Sequence, residues 1–261
     1  MVDPRHVDHA HELSRSSANH VCDAVDVPRF DRPEFTVDAD VYCVENAITI
    51  PAAVPAWPVG RIAESAVEHA ADEPMVRVEH RRIRCLANYW HAGWRAAIPG
   101  TWLRAGAADR LDALADSLPP PWGLAVFDAW RPLELQIELY ETAVADPDVV
   151  DGFMATPSTD PMRPPPHLSG GAVDLTLTHD GTPLALGTGF DDTTEAAFVD
   201  HLRGLDTPSA RLRAWLLHLM NAAGFVVYPG EWWHFEHGTM RWAATTGEPA
   251  RYAATAPPAS T

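Results

Sequence analysis

The sequence contains no lysine; its 19 cationic side chains are all arginine and face 36 acidic ones, for a formal net charge of -17 at neutral pH. Such a chain is expected to have no nucleic-acid partner, because clustered cations are needed to displace the counterions around phosphates. Cysteine is scarce as well. Cys22, Cys43 and Cys85 are odd in number and widely spaced, which suits a reducing compartment rather than a disulfide framework or a Cys-x-x-Cys ribbon. No run approaches the roughly 20 apolar residues of a membrane span, and the opening Met1-Val2-Asp3-Pro4-Arg5-His6 is not a basic-then-apolar leader. The expectation is a soluble cytoplasmic protein with no membrane partner. No internal repeat is present.

With 261 residues, 46% of them hydrophobic, the chain suits one large domain better than two complete ones. Residues 1–40 are polar, acidic and aperiodic, and read as a disordered or loosely docked extension. Residues 41–246 form the expected catalytic domain, and the small, proline-rich residues 247–261 a flexible tail. Within the domain a short helix is expected from Ile62 to Ala71 and strands around Met75–Val78 and Arg81–Arg84. The three-to-four spacing of Leu103, Ala107, Leu111, Leu114 and Leu118 marks an amphipathic helix. Leu124–Phe127 reads as a buried strand that leads through Asp128-Ala129-Trp130-Arg131-Pro132 into a helix. Ala172–Leu177 reads as another strand, with Ala172, Asp174 and Thr176 on one face. A helix from Arg211 to Ala223 ends at Gly224 and is followed by a strand, Phe225–Tyr228.

The residues that carry chemistry stand out against this frame. A catalytic zinc takes three protein ligands and leaves one position for water, and His167, Asp174 and His234 form such a set. Asp174 is the most informative of them. A carboxylate in an apolar strand is costly to bury without a cation or hydrogen-bond partners, although backbone amides or an arginine would also satisfy it. Glu231 lies three residues before His234, so the pair shares a face in a turn and not in a straight strand. Glu231 is then free to act as a general base, the alternative being a surface carboxylate beside a core histidine. Arg131, at a strand-to-helix junction, is a candidate for stabilising the negative charge that develops during amide hydrolysis, or else a partner for Asp128. Asp191 is either a substrate contact or a turn residue before Asp192. His237 is either a partner behind the metal ligands or an alternative ligand, and is read in preference as a solvated side chain. The four tryptophans and phenylalanines Trp232, Trp233, Phe235 and Trp242 are read as core.

His167-Leu-Ser-Gly-Gly-Ala-Val-Asp174 resembles the His-x-x-Gly-x-Ala-x-Asp motif of the D-alanyl-D-alanine dipeptidases, zinc enzymes associated with vancomycin resistance that share a superfamily with D,D-carboxypeptidases and hedgehog-like domains. Glu231-Trp-Trp-His234 is similar to that family's Glu-x-Trp-His motif, and Phe127-Asp-Ala-Trp-Arg131-Pro to its Asp-x-Tyr-Arg-Pro motif, with Trp130 in place of tyrosine. The likeness covers residues 73–244. It implies one Zn²⁺ per chain held by His167, Asp174 and His234, with Glu231 as general base and Arg131 stabilising the tetrahedral intermediate. Leu186-Gly-Thr-Gly-Phe-Asp191 is similar to Met-Gly-x-x-Phe-Asp, which implies that Asp191 holds the substrate's amino group. Pro165 departs from the family, which often has serine there. The fold implied is α+β, a mostly antiparallel central sheet carrying the zinc site, with flanking helices. The expected activity is hydrolysis of a small dipeptide such as D-Ala-D-Ala. Trimming of longer cell-wall peptides and a catalytically silent zinc protein are the alternatives, and homo-oligomerisation is left open.

Overall fold

The computed structural model describes residues 35–58, 63–150 and 152–258. In chain order its elements are β1 (Val37–Asp38), α1 (Ala39–Glu45), β2 (Met75–Arg77), β3 (Ile83–Cys85), α2 (Asn88–Ala92), β4 (Trp102–Arg104), α3 (Ala105–Ser117), β5 (Trp122–Asp128), α4 (Leu133–Ala145), β6 (Ala172–His179), β7 (Thr182–Ala185), α5 (Pro208–Ala222), β8 (Val226–Val227), β9 (His234–Glu236) and α6 (Met240–Thr246). Local chemistry sets several of these ends. Asp38 and Thr207 accept hydrogen bonds from the backbone N–H groups of Val41 and Ala210 and so cap α1 and α5, the latter with Pro208 in its first turn. Along α3, Ala107, Ala108, Leu111, Leu114 and Ala115 are the buried residues, a stripe at helical spacing turned to the core.

β6 is the strand around which the sheet is built. One edge pairs antiparallel with β5 along most of its length, while the other edge is shared, β9 pairing with its start and β7 with its end. Both faces of β6 are covered: Val173, Leu175 and Leu177 are fully buried on one, and Ala172, Asp174 and Thr176 are buried on the other. The sheet as a whole is mixed. β5–β6, β6–β7, β6–β9 and β8–β9 are antiparallel, but the edge pairs β1–β7 and β3–β5 are parallel. This qualifies the mostly antiparallel sheet expected. The chain between β3 and β5 crosses over through α2, β4 and α3, and parallel neighbours require such a long connection. β2 and β4 form a separate antiparallel pair.

No helix covers residues 63–71; that stretch is irregular, with Val67 N–H bonded to Met162 O and Ala71 N–H to Arg251 O. Those tertiary partners take the backbone donors a helix would have used internally. Of the N-terminal extension, residues 1–34 lie outside the described residues, while Val37 and Asp38 already belong to the sheet and the Asp40 carboxylate accepts the Ser209 N–H at 2.8 Å. The stretch after Gly247 runs back along the domain. Tyr252 is fully buried there, Arg104 donates to Ala253 O at 2.9 Å, and Trp130 Nε1 donates to Thr255 O at 2.8 Å.

Candidate metal centre and its cavity

Two strands and a proline-fed turn bring His167, Asp174 and His234 together. Asp174 on β6 is the register partner of His234, the first residue of β9, a placement that sets side chains about 4.5–5.5 Å apart at Cβ. On its other side Asp174 faces Asp128, beyond a bulge at the end of β5. His167 leaves Pro164-Pro165-Pro166 in a single 3-10 turn, His167–Ser169, closed by Gly170 at φ 74°. In that left-handed conformation only glycine is free of Cβ strain. Arg104, itself buried, fixes the turn by donating from Nε to Ser169 O at 3.0 Å and from its backbone N–H to Gly170 O at 2.8 Å. Two of the three residues are therefore on the sheet and the third on a clamped loop beside it.

One ligand atom from each of the three lies within 4.8 Å of the others. His167 Nε2 is 3.3 Å from Asp174 Oδ2 and 3.2 Å from His234 Nδ1, and His234 Nδ1 is 2.9 Å from Asp174 Oδ1. The outer nitrogens decide what these atoms can be. His167 Nδ1 faces the Ala129 carbonyl, which can only accept, and His234 Nε2 faces the Glu236 carboxylate at 3.1 Å. Each outer nitrogen therefore carries its ring's proton, leaving a bare lone pair on the inner one. With both rings neutral, two imidazole lone pairs and a carboxylate converge in a buried space, an arrangement that calls for a cation or a shared proton. Histidines oriented by a carbonyl or carboxylate behind them are the usual support of a metal site, so the residues fit a divalent metal.

Without a cation, the centre draws in a proton. Burial alone would lower the His234 pKa, but the carboxylates of Asp174 and Glu236 override it and push it up to about 10. Asp174, which burial would raise, is held well below the usual carboxylate range by His167 and His234. Both shifts say that the field at this point favours positive charge.

Glu231-Trp232-Trp233-His234 is a turn, its ends joined by the His234 N–H and Glu231 O at 3.4 Å. Residues three apart thus reach the same centre. Glu231 Oε2 stands 3.7 Å from His234 Nδ1, next to the three converging atoms and not among them. Burial pushes its carboxyl up to about 7, with Asp174 adding to the rise and His234 opposing it. Trp232 and Trp233 are both buried and hold the turn in place: Trp232 donates through Nε1 to Thr188 Oγ1 at 2.8 Å and through its backbone N–H to Ala197 O.

Arg131 is buried, with Nε 3.3 Å from Asp128 Oδ2, Nη1 donating to the Tyr89 hydroxyl at 3.4 Å and its guanidinium 5.4 Å from the centre of the Tyr89 ring. It therefore pairs with Asp128 and also lines the cavity. Burial opposes its charge, but Tyr89 and the carboxylates of Asp128, Asp174 and Asp191 raise its pKa and keep it cationic. Asp191 is buried beside Tyr89 in the left-handed conformation, at φ 59°. Burial, then the neighbouring Asp174, push its carboxyl well above the ordinary value.

These side chains line one small cavity, about 120 Å³, walled further by Phe153, Met154 and Tyr228. Glu236 and Arg241 also reach it, and neither was expected. A signal for Glu236 did exist, because residues two apart on a strand share a face and Glu236 follows His234 by two. His237 sits on the other face, its Nδ1 3.0 Å from Gly224 O, and does not line the cavity.

Comparison with known proteins points the same way. The family profile described as D-ala-D-ala dipeptidase matches residues 111–249. A protein named D-alanyl-D-alanine dipeptidase from Synechocystis is 32% identical over 209 residues, covering 66% of this chain and 84% of that protein. One of the same name from Enterococcus faecalis is 25% identical over 134 residues, 44% of this chain and 62% of the other.

Proposed function

This chain belongs to the D-Ala-D-Ala dipeptidase family of metallopeptidases, and we propose that it hydrolyses a small dipeptide, D-Ala-D-Ala or a close relative, with one zinc ion held by His167, Asp174 and His234. The observation that carries this reading is the convergence of one ligand atom each from His167, Asp174 and His234, with the Glu231 carboxylate beside them and outside the set. Two nitrogens and one carboxylate oxygen, leaving an open position, suit zinc better than the all-oxygen sites of calcium or magnesium. When bound, zinc supplies Lewis acidity, which acidifies water and polarises a scissile carbonyl. Glu231 takes a proton from the attacking water on its carboxylate and delivers it to the leaving amine. Arg131 presents a charged guanidinium to the oxygen on which negative charge grows, an interaction stronger in the transition state than with substrate. Asp191 takes the substrate's ammonium, and that incoming charge offsets the burial of its carboxylate.

The test is a stereochemically complete dipeptide panel assayed on protein whose metal content is measured in the same sample. Release of amino acid from the D,D member, lost on chelation and restored by zinc, is the expected result. Zinc-loaded protein that cleaves no dipeptide would overturn the reading. The panel includes the N-acylated dipeptide: an enzyme that uses Asp191 as its anchor rejects it, whereas a carboxypeptidase of longer wall peptides accepts it. No helix among the described residues is long and apolar enough to cross a membrane.

A pH dependence follows from the same assignment. Glu231 must be ionised to accept a proton, so kcat/KM is expected to fall as the pH drops through its pKa. Burial pushes that value from the ordinary 4.5 up to about 7 in the absence of a cation, and a cation bound beside the carboxylate would draw it back down. The acid limb is therefore expected between those two values. A profile flat across that interval removes Glu231 from the proton transfer.

A further inference from the structure

A zwitterionic dipeptide carries a carboxylate as well as an ammonium, and no residue so far holds the carboxylate. Most charged groups lining the cavity would repel it, since Asp174, Asp191, Glu231 and Glu236 are all acidic. The arginines among the lining residues are Arg131 and Arg241, and Arg131 is already engaged by Asp128 and Tyr89.

Arg241 is placed differently. It stands in the first turn of α6 with a quarter of its side chain exposed, and its guanidinium lies 4.6 Å from the centre of the Tyr228 ring, which is 6.0 Å from the His234 ring. Its Nε donates to Glu236 Oε1 at 3.0 Å and its Nη2 lies 3.0 Å from Glu64 Oε1. Nη1 has no partner among the described residues. The guanidinium of this cavity-lining residue is thus braced by two carboxylates while one nitrogen of its donor fork stays unengaged.

Two separate sets of contacts hold the two arginines: Arg131 meets Asp128 and Tyr89, whereas Arg241 meets Glu236, Glu64 and the Tyr228 ring. An extended dipeptide spans about 7 Å, so its ammonium and its carboxylate need separate partners, and Asp191 and Arg241 both line the cavity.

We propose that Arg241 binds the free carboxylate of the substrate and, together with Asp191, makes this site selective for a molecule two residues long; the proposal rests on the dipeptide reading given above.

The experiment uses the zinc-loaded Glu231→Gln protein, in which ligand persists, and measures binding of D-Ala-D-Ala and of its C-terminal amide by calorimetry. With Arg241 present the acid is expected to bind about 10–100-fold tighter than the amide, the range for a charge-assisted contact. Adding Arg241→Gln should bring the two ligands together with zinc still bound, and Arg241→Lys should restore part of the preference. An undiminished preference for the acid in the Gln variant overturns the proposal. So does an equal weakening of acid and amide accompanied by loss of zinc, which makes Arg241 a brace for Glu236 and His234 alone. Arg241-dependent binding of the acid without turnover by the native enzyme leaves the carboxylate site standing and overturns the hydrolase reading instead.

Discussion

Glu231→Gln is expected to lower kcat by about 10²–10⁴-fold, the usual contribution of a positioned general base, while the protein keeps its zinc and its fold. The substitution preserves shape and removes only the charge and the proton-accepting oxygen. Glu231 lies 3.7 Å from His234 Nδ1 but outside the converging set, so no ligand is lost. Stability gives a second signature. Burial raises the carboxyl from 4.5 to about 7, so the folded state binds its proton more tightly than the unfolded chain does. That contribution is present at acid pH and lost as the pH rises through about 7, where the folded protein holds a disfavoured buried charge. Above neutrality the metal-free Gln variant is therefore expected to melt no lower than metal-free wild type. Activity, zinc per chain and thermal melting on one preparation check all three statements. Zinc lost together with activity would move Glu231 into the ligand set.

What the sequence made legible was the chemistry that fixes residue type and spacing together. His167 and Asp174 are joined by a glycine-bearing turn and a strand, and Glu231 and His234 by a turn that must bend; both constraints can be read from a linear chain. The sheet's edges could not be. β1 and β3 are two and three residues long, too short to show a period, and their parallel pairing is set by where a long crossover returns. Residues 63–71 carry a helix-like composition, but their backbone donors find partners on Met162 and Arg251. The C-terminal stretch reads as tail because small residues and prolines give no periodic signal, whereas its attachment comes from backbone carbonyls taken up by Arg104 and Trp130. Arg241 was illegible for a similar reason. It lies seven residues beyond His234, and only the turn between β9 and α6 brings its guanidinium back to the cavity.

Asp174→Asn is expected to act on the metal rather than on the chemical step. Changes to groups behind a metal ligand weaken binding by about 10–100-fold, and replacing the ligand itself, the one anion in the set, is expected to exceed that range. The variant should lose zinc on dialysis, and activity should fall in proportion to zinc content, with partial return in excess zinc. Its metal-free form should also be less stable than metal-free wild type at neutral pH. In the metal-free wild type the raised pKa of His234, about 10, means that the imidazolium stabilises the folded state, a contribution present below the unfolded value and lost as the pH rises through about 10. Asp174 is a main source of that rise, and removing one member of a buried ion pair typically costs about 3–5 kcal/mol. Activity falls in both variants, but zinc and stability separate them: Glu231→Gln keeps zinc and metal-free stability while kcat falls, and Asp174→Asn loses zinc and metal-free stability together. An Asp174→Asn protein that retains zinc at full occupancy would mean that two histidines and solvent suffice, and that Asp174 is buried here to hold His167 and His234 in register.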